Sequence, residues 1–591
     1  MPGNPAAKPV GSGLLRLCAV GHRVGSPLTF PAARPSSCGR KGSAMPHRPS
    51  SQSPALPHPP GGASFGRRTL LGGLGAIGLA ASQTPSAFAA GQEGDTLTFV
   101  LVSEPVSLVS HSNVFTPVLS VSAKVTEGLL EYDQDLNPVP MLATAWSVTP
   151  DGLRYTFTLR QGVKWHDGKD FTSADVAFAI MLLRKIHPRG RSTFANVVSV
   201  GTPDDHTAVF ELSKPAPFLI KALAGAETPI IPRHIYENTD PLTNPNNVAP
   251  IGTGPFIFKE WVRGSHIRYA RNPDYWGTGK PKVDQLIVRI ITDPAARSAA
   301  FETGQVDLGY RTPVGMADVA RLRKSGSLVF DTKGAAYSYN VTRLEFNLDN
   351  PFFRDIRVRQ AVAHAVNREL ICKVVYYGLA IPCATAIPVG LKQFHDPSPS
   401  PYPFDLARAQ ALLDQAGYPR GPDGVRFRIP LDFNPASEDG SRLADFFRSM
   451  LDRIGIVAEV RAQDIGTFIK RIYTNRDFAM TTNGASSLFD PTVGIQRLYW
   501  SKNYVKGVPF SNGTHYANPE VDTLLEDASS ENDPAKRIAM FKKFQEIVAH
   551  DVPDLNLVQP VFLTMYNKRV HDATIYADGV ESNLGEVHLD G

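Results

Sequence analysis

Three kinds of chemistry-bearing pattern can be sought in the chain. The first is Gly66-Arg67-Arg68-Thr69-Leu70-Leu71-Gly72-Gly73-Leu74-Gly75-Ala76-Ile77-Gly78, whose last six residues match G-x-G-x-x-G. Such glycines cradle a pyrophosphate when a strand precedes them, a helix follows and an acidic residue stands about 20 positions on. The second is the cysteines: Cys372 and Cys383 are eleven residues apart, while Cys18 and Cys38 lie far upstream. No spacing of Cys, His or acidic residues reads as a zinc site. The third is a nucleophile or metal-hydrolase signature. No G-x-S-x-G, H-E-x-x-H or P-loop occurs beyond residue 90, although scattered Ser, His and Asp leave a spatial triad open.

The glycine fingerprint fails on its surroundings. Before it runs Ser-Ser-Gln-Ser-Pro-Ala-Leu-Pro-His-Pro-Pro-Gly-Gly, a tract that cannot be a buried strand. After it, the apolar run to Ala81 leads to Ala87-Phe88-Ala89, a small-x-small cleavage pattern. A charged start, a short apolar stretch and small residues at the end make an export signal, and the run is too short to span a bilayer stably. The paired arginines resemble a twin-arginine (Tat) signal; the residues beyond them fit it loosely, so Tat and Sec export both stay open. Residues 1–90 are the expected leader, with 1–44 unlike an ordinary signal start, so Met45 is a candidate first residue.

Charge agrees. Residues 1–90 hold nine Lys/Arg and no acid; without them the chain carries 52 basic against 56 acidic residues, and the formal charge moves from +5 to about −4. A nucleic-acid partner is therefore not expected. The mature chain is long enough for two or three lobes, and it has no later apolar run long enough for a membrane span. In an oxidising compartment Cys372 and Cys383 could pair; the other reading is one buried thiol on a helix and one in a loop.

The elements that must position any site read as mixed α/β. Alternation predicts strands over 96–102, 154–159 and 207–212, and another over 286–292. Thr172-Ser-Ala-Asp175 is a capping-box pattern before Val176, Ile180 and Leu183. Later the pattern alternates: helix 442–453 stopped by Gly455, strand 457–460, helix 465–473, strand 478–482. Asp405 caps a helix ending at Gly417; 534–550 is a long helix, and 554–565 returns as a strand. Such alternation argues for sheets covered by helices. Trp146, Trp165 and Trp276 read as core anchors, and Gly252 and Gly254 as backbone freedom beside a hinge. Asp167-Gly168 is a turn signal. Arg357 and Arg359 read as solvated or paired.

Several stretches, in order, resemble the periplasmic solute-binding proteins of dipeptide, oligopeptide and nickel ABC transporters (family 5). They are Thr126-Glu-Gly-Leu-Leu-Glu-Tyr-Asp133, Pro138-Val-Pro-Met-Leu-Ala143 with Ala145-Trp146, and Asp151-Gly-Leu-Arg-Tyr-Thr-Phe-Thr-Leu-Arg160. Val163-Lys-Trp-His-Asp-Gly168, Phe171-Thr-Ser-Ala-Asp-Val176, Gly252-Thr-Gly-Pro-Phe256, Arg271-Asn-Pro-Asp-Tyr-Trp276 and Asp355-Ile-Arg-Val-Arg-Gln-Ala361 follow. The resemblance covers essentially all of the mature chain. It implies a bilobed periplasmic-binding-protein fold (type II, cluster C) with discontinuous lobes: lobe I from 91–136, 251–345 and 566–591, an inserted subdomain over 137–250, and lobe II over 346–565. Ligand binding between the lobes would drive hinge closure.

In peptide-binding members an aspartate after a lobe II strand pairs with the peptide's α-ammonium, which is costly to bury alone. Aligning on Asp490-Pro491 puts Ser487 at that position, which favours a neutral, acidic or modified ligand; another register gives the role to Asp490. The resemblance adds Asn483, Ser486, Phe489 and Trp500 as pocket candidates, Glu104 after the first strand, and Arg311 and Arg343 as partners for a ligand carboxylate. The implied protein is a monomeric periplasmic receptor that captures a short peptide or peptide-like solute, without cofactor or metal, and delivers it to an ABC permease and its ATPase. The competing readings are an exported hydrolase, a receptor for an opine, sugar conjugate or nickel chelate on the same fold, and a receptor serving a chemosensor.

Overall fold

The computed structural model describes residues 95–398 and 400–590; the leader assigned to 1–90 lies outside them. Three larger sheets organise the described chain. The seven-stranded sheet runs Leu328–Asp331, Thr564–Asn567, Leu308–Gly309, Thr96–Leu101, Gln285–Ile290, His266–Arg271, Phe256–Val262. Its centre, Thr96–Leu101, lies parallel to Gln285–Ile290 with Thr96 opposite Gln285. Leu97, Phe99 and Leu101 pack with Leu286 and Val288 on one face, while Val100 meets Phe301 and Val306 on the other. A parallel strand covered on both faces needs this nearly continuous apolar run.

A four-stranded antiparallel sheet, Ala143–Val148, Arg154–Leu159, Thr207–Leu212, Val197–Asp204, is built from the stretch between two strands of the first sheet. The helix Ser173–Ile186 covers it with Val176, Ala179, Ile180 and Leu183. Its start is the capping box read from sequence: Thr172 and Asp175 exchange side-chain and backbone bonds, which satisfies orphan donors of the first turn.

The six-stranded sheet runs Ala380–Pro382, Asp554–Pro560, Ser338–Phe346, Met480–Leu488, Phe427–Phe433, Ile456–Arg461. Its middle pair is antiparallel over nine residues, with Tyr339 opposite Ser487 and Arg343 opposite Asn483. Ser338–Phe346, which the sequence division leaves in lobe I, pairs here. The chain passes from the seven-stranded to the six-stranded sheet through residues 332–337 and returns through 561–563.

Several expectations are corrected. The strand read over 478–482 runs Met480–Leu488; Gly484-Ala-Ser-Ser487 has little intrinsic strand preference, and pairing with Ser338–Phe346 supplies it. The single strand read over 554–565 is two, Asp554–Pro560 and Thr564–Asn567, in different sheets; Pro560, which has no N–H to continue a ladder, stands at the break. The helix read over 465–473 changes after Ile469 into a π-type turn, Lys470–Asn475, that ends at left-handed Arg476. Gly252 and Gly254 are absent from the positive-φ positions. They are needed for close approach instead: a Cβ would stand 1.9 Å and 2.7 Å from the Val125 carbonyl oxygen.

Trp165 is fully buried, whereas Trp146 and Trp276 are partly buried against the same core. Arg357 pairs with Asp355. Arg359 is buried and donates to four carbonyls, those of Phe353, Arg354, Asp551 and Val552. Cys372, on the helix Arg368–Val374, and Cys383, just beyond the strand Ala380–Pro382, are free and buried, and burial pushes both thiols up to about 11.

Gly252→Ala is expected to destabilise by about 1–3 kcal/mol, the range for overpacking a close contact. Denaturant unfolding against wild type checks it; an unchanged midpoint would show that the Val125 backbone gives way freely.

Candidate ligand-binding site

The returning passage also borders a cleft. Arg311 and Thr312 both take positive φ, 54° and 57°, a costly conformation for residues with a Cβ. It is held from outside: Thr312 N donates to the Leu563 carbonyl (2.8 Å) and Leu563 N donates to Thr312 Oγ1 (3.1 Å). The strained turn is thus tied to the returning passage, and the Arg311 guanidinium lies 4.3 Å from the Phe562 ring centre. Arg311, Phe562, Asn340, Thr482, Asn483 and Glu438 are among the residues lining a cleft of about 230 Å³.

The polar groups of the cleft are knitted together. Asn340 Oδ1 accepts from Ser486 Oγ (3.0 Å) and from Arg311 Nη2 (3.3 Å). Asn483 Oδ1 accepts from Asn434 Nδ2 (3.1 Å), and Asn483 Nδ2 donates to the Tyr473 hydroxyl (2.9 Å). Such a network fixes donors and acceptors in place before a ligand arrives.

The structure therefore brings together Arg311, Asn483 and Ser486. The other sequence candidates lie elsewhere. Ser487 is fully buried, and its Oγ has no hydrogen-bond partner. Phe489 packs 4.9 Å from Tyr337. Asp490 is locked by Arg537, whose Nη1 and Nη2 donate to its two oxygens at 2.7 and 2.6 Å, while Thr492 N donates to Oδ1. Both Asp490 oxygens thus already face a guanidinium. Trp500 Nε1 donates to Glu526 (2.8 Å). Glu104 accepts from Trp261 Nε1 and Gly264 N, both at 3.1 Å. Arg343 is buried under the sheet between Asp554 (2.7 Å) and Glu345 (3.2 Å); burial raises the pKa of both carboxylates against its pull.

Comparison with known proteins follows this geometry. The model of the bacterial extracellular solute-binding proteins, family 5 (middle), matches residues 137–507. The chain belongs to that family. A glutathione-binding protein, GsiB, of Salmonella typhi is 29% identical over 524 residues, which is 85% of this chain and 96% of that protein. A chain of Brucella ovis, named for ABC transporter peptide binding, is 32% identical over 432 residues, 70% of this chain and 78% of that one. The solved structure of AgaA with agropinic acid, from A. tumefaciens R10, superposes with a TM-score of 0.69 at 28% identity, covering 84% of this chain and 99% of AgaA. The fold is accordingly the bilobed α/β fold of family 5 solute-binding proteins.

Sequence reasoning missed Asn340, Asn434 and Tyr473. Asn340 sits in an ordinary strand, 146 residues from Ser486, and nothing local marks it. It also missed an acidic cluster of this family 5 chain. Glu581, from the turn Gly579–Glu581, is buried with Oε1 unpartnered; burial pushes its pKa up to about 6, opposed by Arg311 and Arg189. Nearby Lys124 is buried and donates to the Val580 and Ser582 carbonyls; burial brings it down to about 7, against the pull of Asp578, Glu581 and Glu131. Arg189 is ion-paired with Glu227.

Glu581 predicts a pH dependence. The folded state holds its proton more tightly than the unfolded chain, so this stabilisation is complete below pH 4.5 and is lost as pH rises through 6. From well below pH 4.5 to well above pH 6, wild type is expected to lose about 2 kcal/mol more than Glu581→Gln. Urea unfolding of both proteins across that range checks it; parallel pH profiles would refute it.

Proposed function

We infer that the chain is the periplasmic receptor of an ABC importer, closing its two lobes over a short peptide or peptide-like polar solute. The observation that carries this reading is the cleft itself. Its polar side chains are preorganised by one another, and its wall includes Arg311, held in a strained turn by the passage between lobes. A binding site needs such fixed groups, and a conformational change needs a ligand that favours one state over the other. The named relatives support the ligand class: one is a glutathione-binding protein and another was solved with agropinic acid.

The lobe division 91–136, 251–345 and 566–591 against 346–565, with 137–250 inserted, belongs to this proposal, with Ser338–Phe346 counted in the second lobe and Thr564–Asn567 in the first, as do export through a twin-arginine-type leader cut near Ala89, a monomeric state and delivery to a permease–ATPase pair. In this reading the receptor releases its solute unchanged. Asn483, Ser486 and Arg311 form the polar floor; Ser487 stands where an ammonium-binding aspartate would sit.

A thermal-shift screen over short peptides, opines, sugar conjugates and nickel chelates tests it, because a ligand bound by the folded state alone raises the melting point. Peptide-like or opine probes should shift it. Among the described residues no group of three or more His, Cys, Asp or Glu could hold a metal ion, so free Ni²⁺ should shift it little. Sustained turnover of peptides or esters would instead favour the hydrolase.

Ser487→Asp should destabilise the unliganded protein, because it puts a carboxylate at a fully enclosed position. Peptides with a free amine should recover that loss and N-acetylated ones should not. Equal recovery by both would place the amino-end subsite elsewhere.

A further inference from the structure

One arginine beside the site is short of partners. Arg497, on the short helix Gln496–Tyr499, donates through Nε to the Gly494 carbonyl (3.1 Å). Among the described residues that is the one hydrogen bond of its guanidinium, which enters no ion pair. Other deeply set arginines are occupied. Arg189 pairs with Glu227, Arg343 with Asp554 and Glu345, and Arg537 with Asp490. Arg297 spends its guanidinium on three carbonyls and Arg359 on four. Arg368 has one bond, to the Asn556 carbonyl, but it borders a void of only about 10 Å³.

The surroundings leave the Arg497 charge short of an anion. Arg189 and Arg343 both repel it; Tyr473 and Glu345 attract it, and burial brings its pKa down to about 10. Glu345 does not neutralise it directly, because that carboxylate faces Arg343 at 3.2 Å. Arg497 also lies next to the site. The Gly494 backbone that it holds folds onto the strand so closely that a Cβ on Gly494 would stand 2.5 Å from the Ser486 carbonyl oxygen and 3.2 Å from Ser487 Cα. Tyr473, which Arg497 feels, is hydrogen-bonded to cleft-lining Asn483.

We propose that Arg497 receives a carboxylate of the solute, so that this end of the site takes an anion and the ligand is an acid rather than an ammonium-anchored peptide. The proposal rests on the solute-receptor reading above. A guanidinium is a donor and matches carboxylate oxygens, whereas an ammonium would meet a cation.

The test uses the mature chain and four probes: reduced glutathione, trialanine and the carboxyl ethyl ester of each. Wild type is expected to bind each acid about tenfold or more tightly than its ester, as loss of a charge-assisted hydrogen bond implies. Arg497→Gln should bring acid and ester to within about twofold, and Arg497→Lys should keep part of the preference. The unliganded Arg497→Gln protein should melt no lower than wild type, because the variant removes a charge that has no protein partner. Wild type that binds esters as tightly as acids, Arg497→Gln that keeps the acid preference, or a lowered unliganded melting point would each overturn the proposal alone. Failure of all four probes to bind wild type would sink the peptide-like reading as well.

Discussion

Two passages of chain, 332–337 and 561–563, join the seven-stranded sheet to the six-stranded one, and the site depends on how they are tied. The backbone of Leu563 bonds to Thr312 in both directions. That pair of bonds offsets the cost of two consecutive left-handed residues and sets Arg311 against Phe562 at the cleft. Strain of this kind persists only where its surroundings over-determine it. Here the surroundings are the same passage that any relative motion of the two sheets must bend.

The middle strand pair of the six-stranded sheet does the complementary work. Its register puts Asn340 within reach of Ser486, and Arg343 across from Asn483. Alternation sends successive side chains to opposite faces. Ser486 thus reaches the cleft network, while Ser487, one residue on, is buried without a partner. A slip of one residue would exchange the two. The loop that follows is fixed by the buried Asp490–Arg537 pair and by Phe489 against Tyr337. Those two residues position the site wall without lining it.

Charge is distributed unevenly around this frame. Carboxylates at Glu581, Glu345 and Asp554 are driven toward the protonated form by burial, while the arginines near them stay charged. The cleft itself carries Arg311 on one wall and the carboxylates Glu438 and Asp439 on another.

Local signals in the sequence settled much of the architecture. The strands at 154–159 and 207–212, the Thr172/Asp175 cap and the Asp405-capped helix Leu406–Gln415 stand where patterning and capping chemistry put them. So did the family, because motifs such as Gly252-Thr-Gly-Pro-Phe256 are contiguous and their order survives in one dimension. What only the tertiary structure decided are the relations that join distant residues. They include the strand extension through Ser487, the division of 554–567 between two sheets, the need for Gly252 beneath Val125, and the meeting of Asn340, Arg311 and Ser486. Hydrophobic period and capping act over a few residues and leave a trace in their spacing. Hydrogen bonds between strands more than a hundred residues apart leave none, so the face that each side chain presents to the cleft is fixed only when the sheets form.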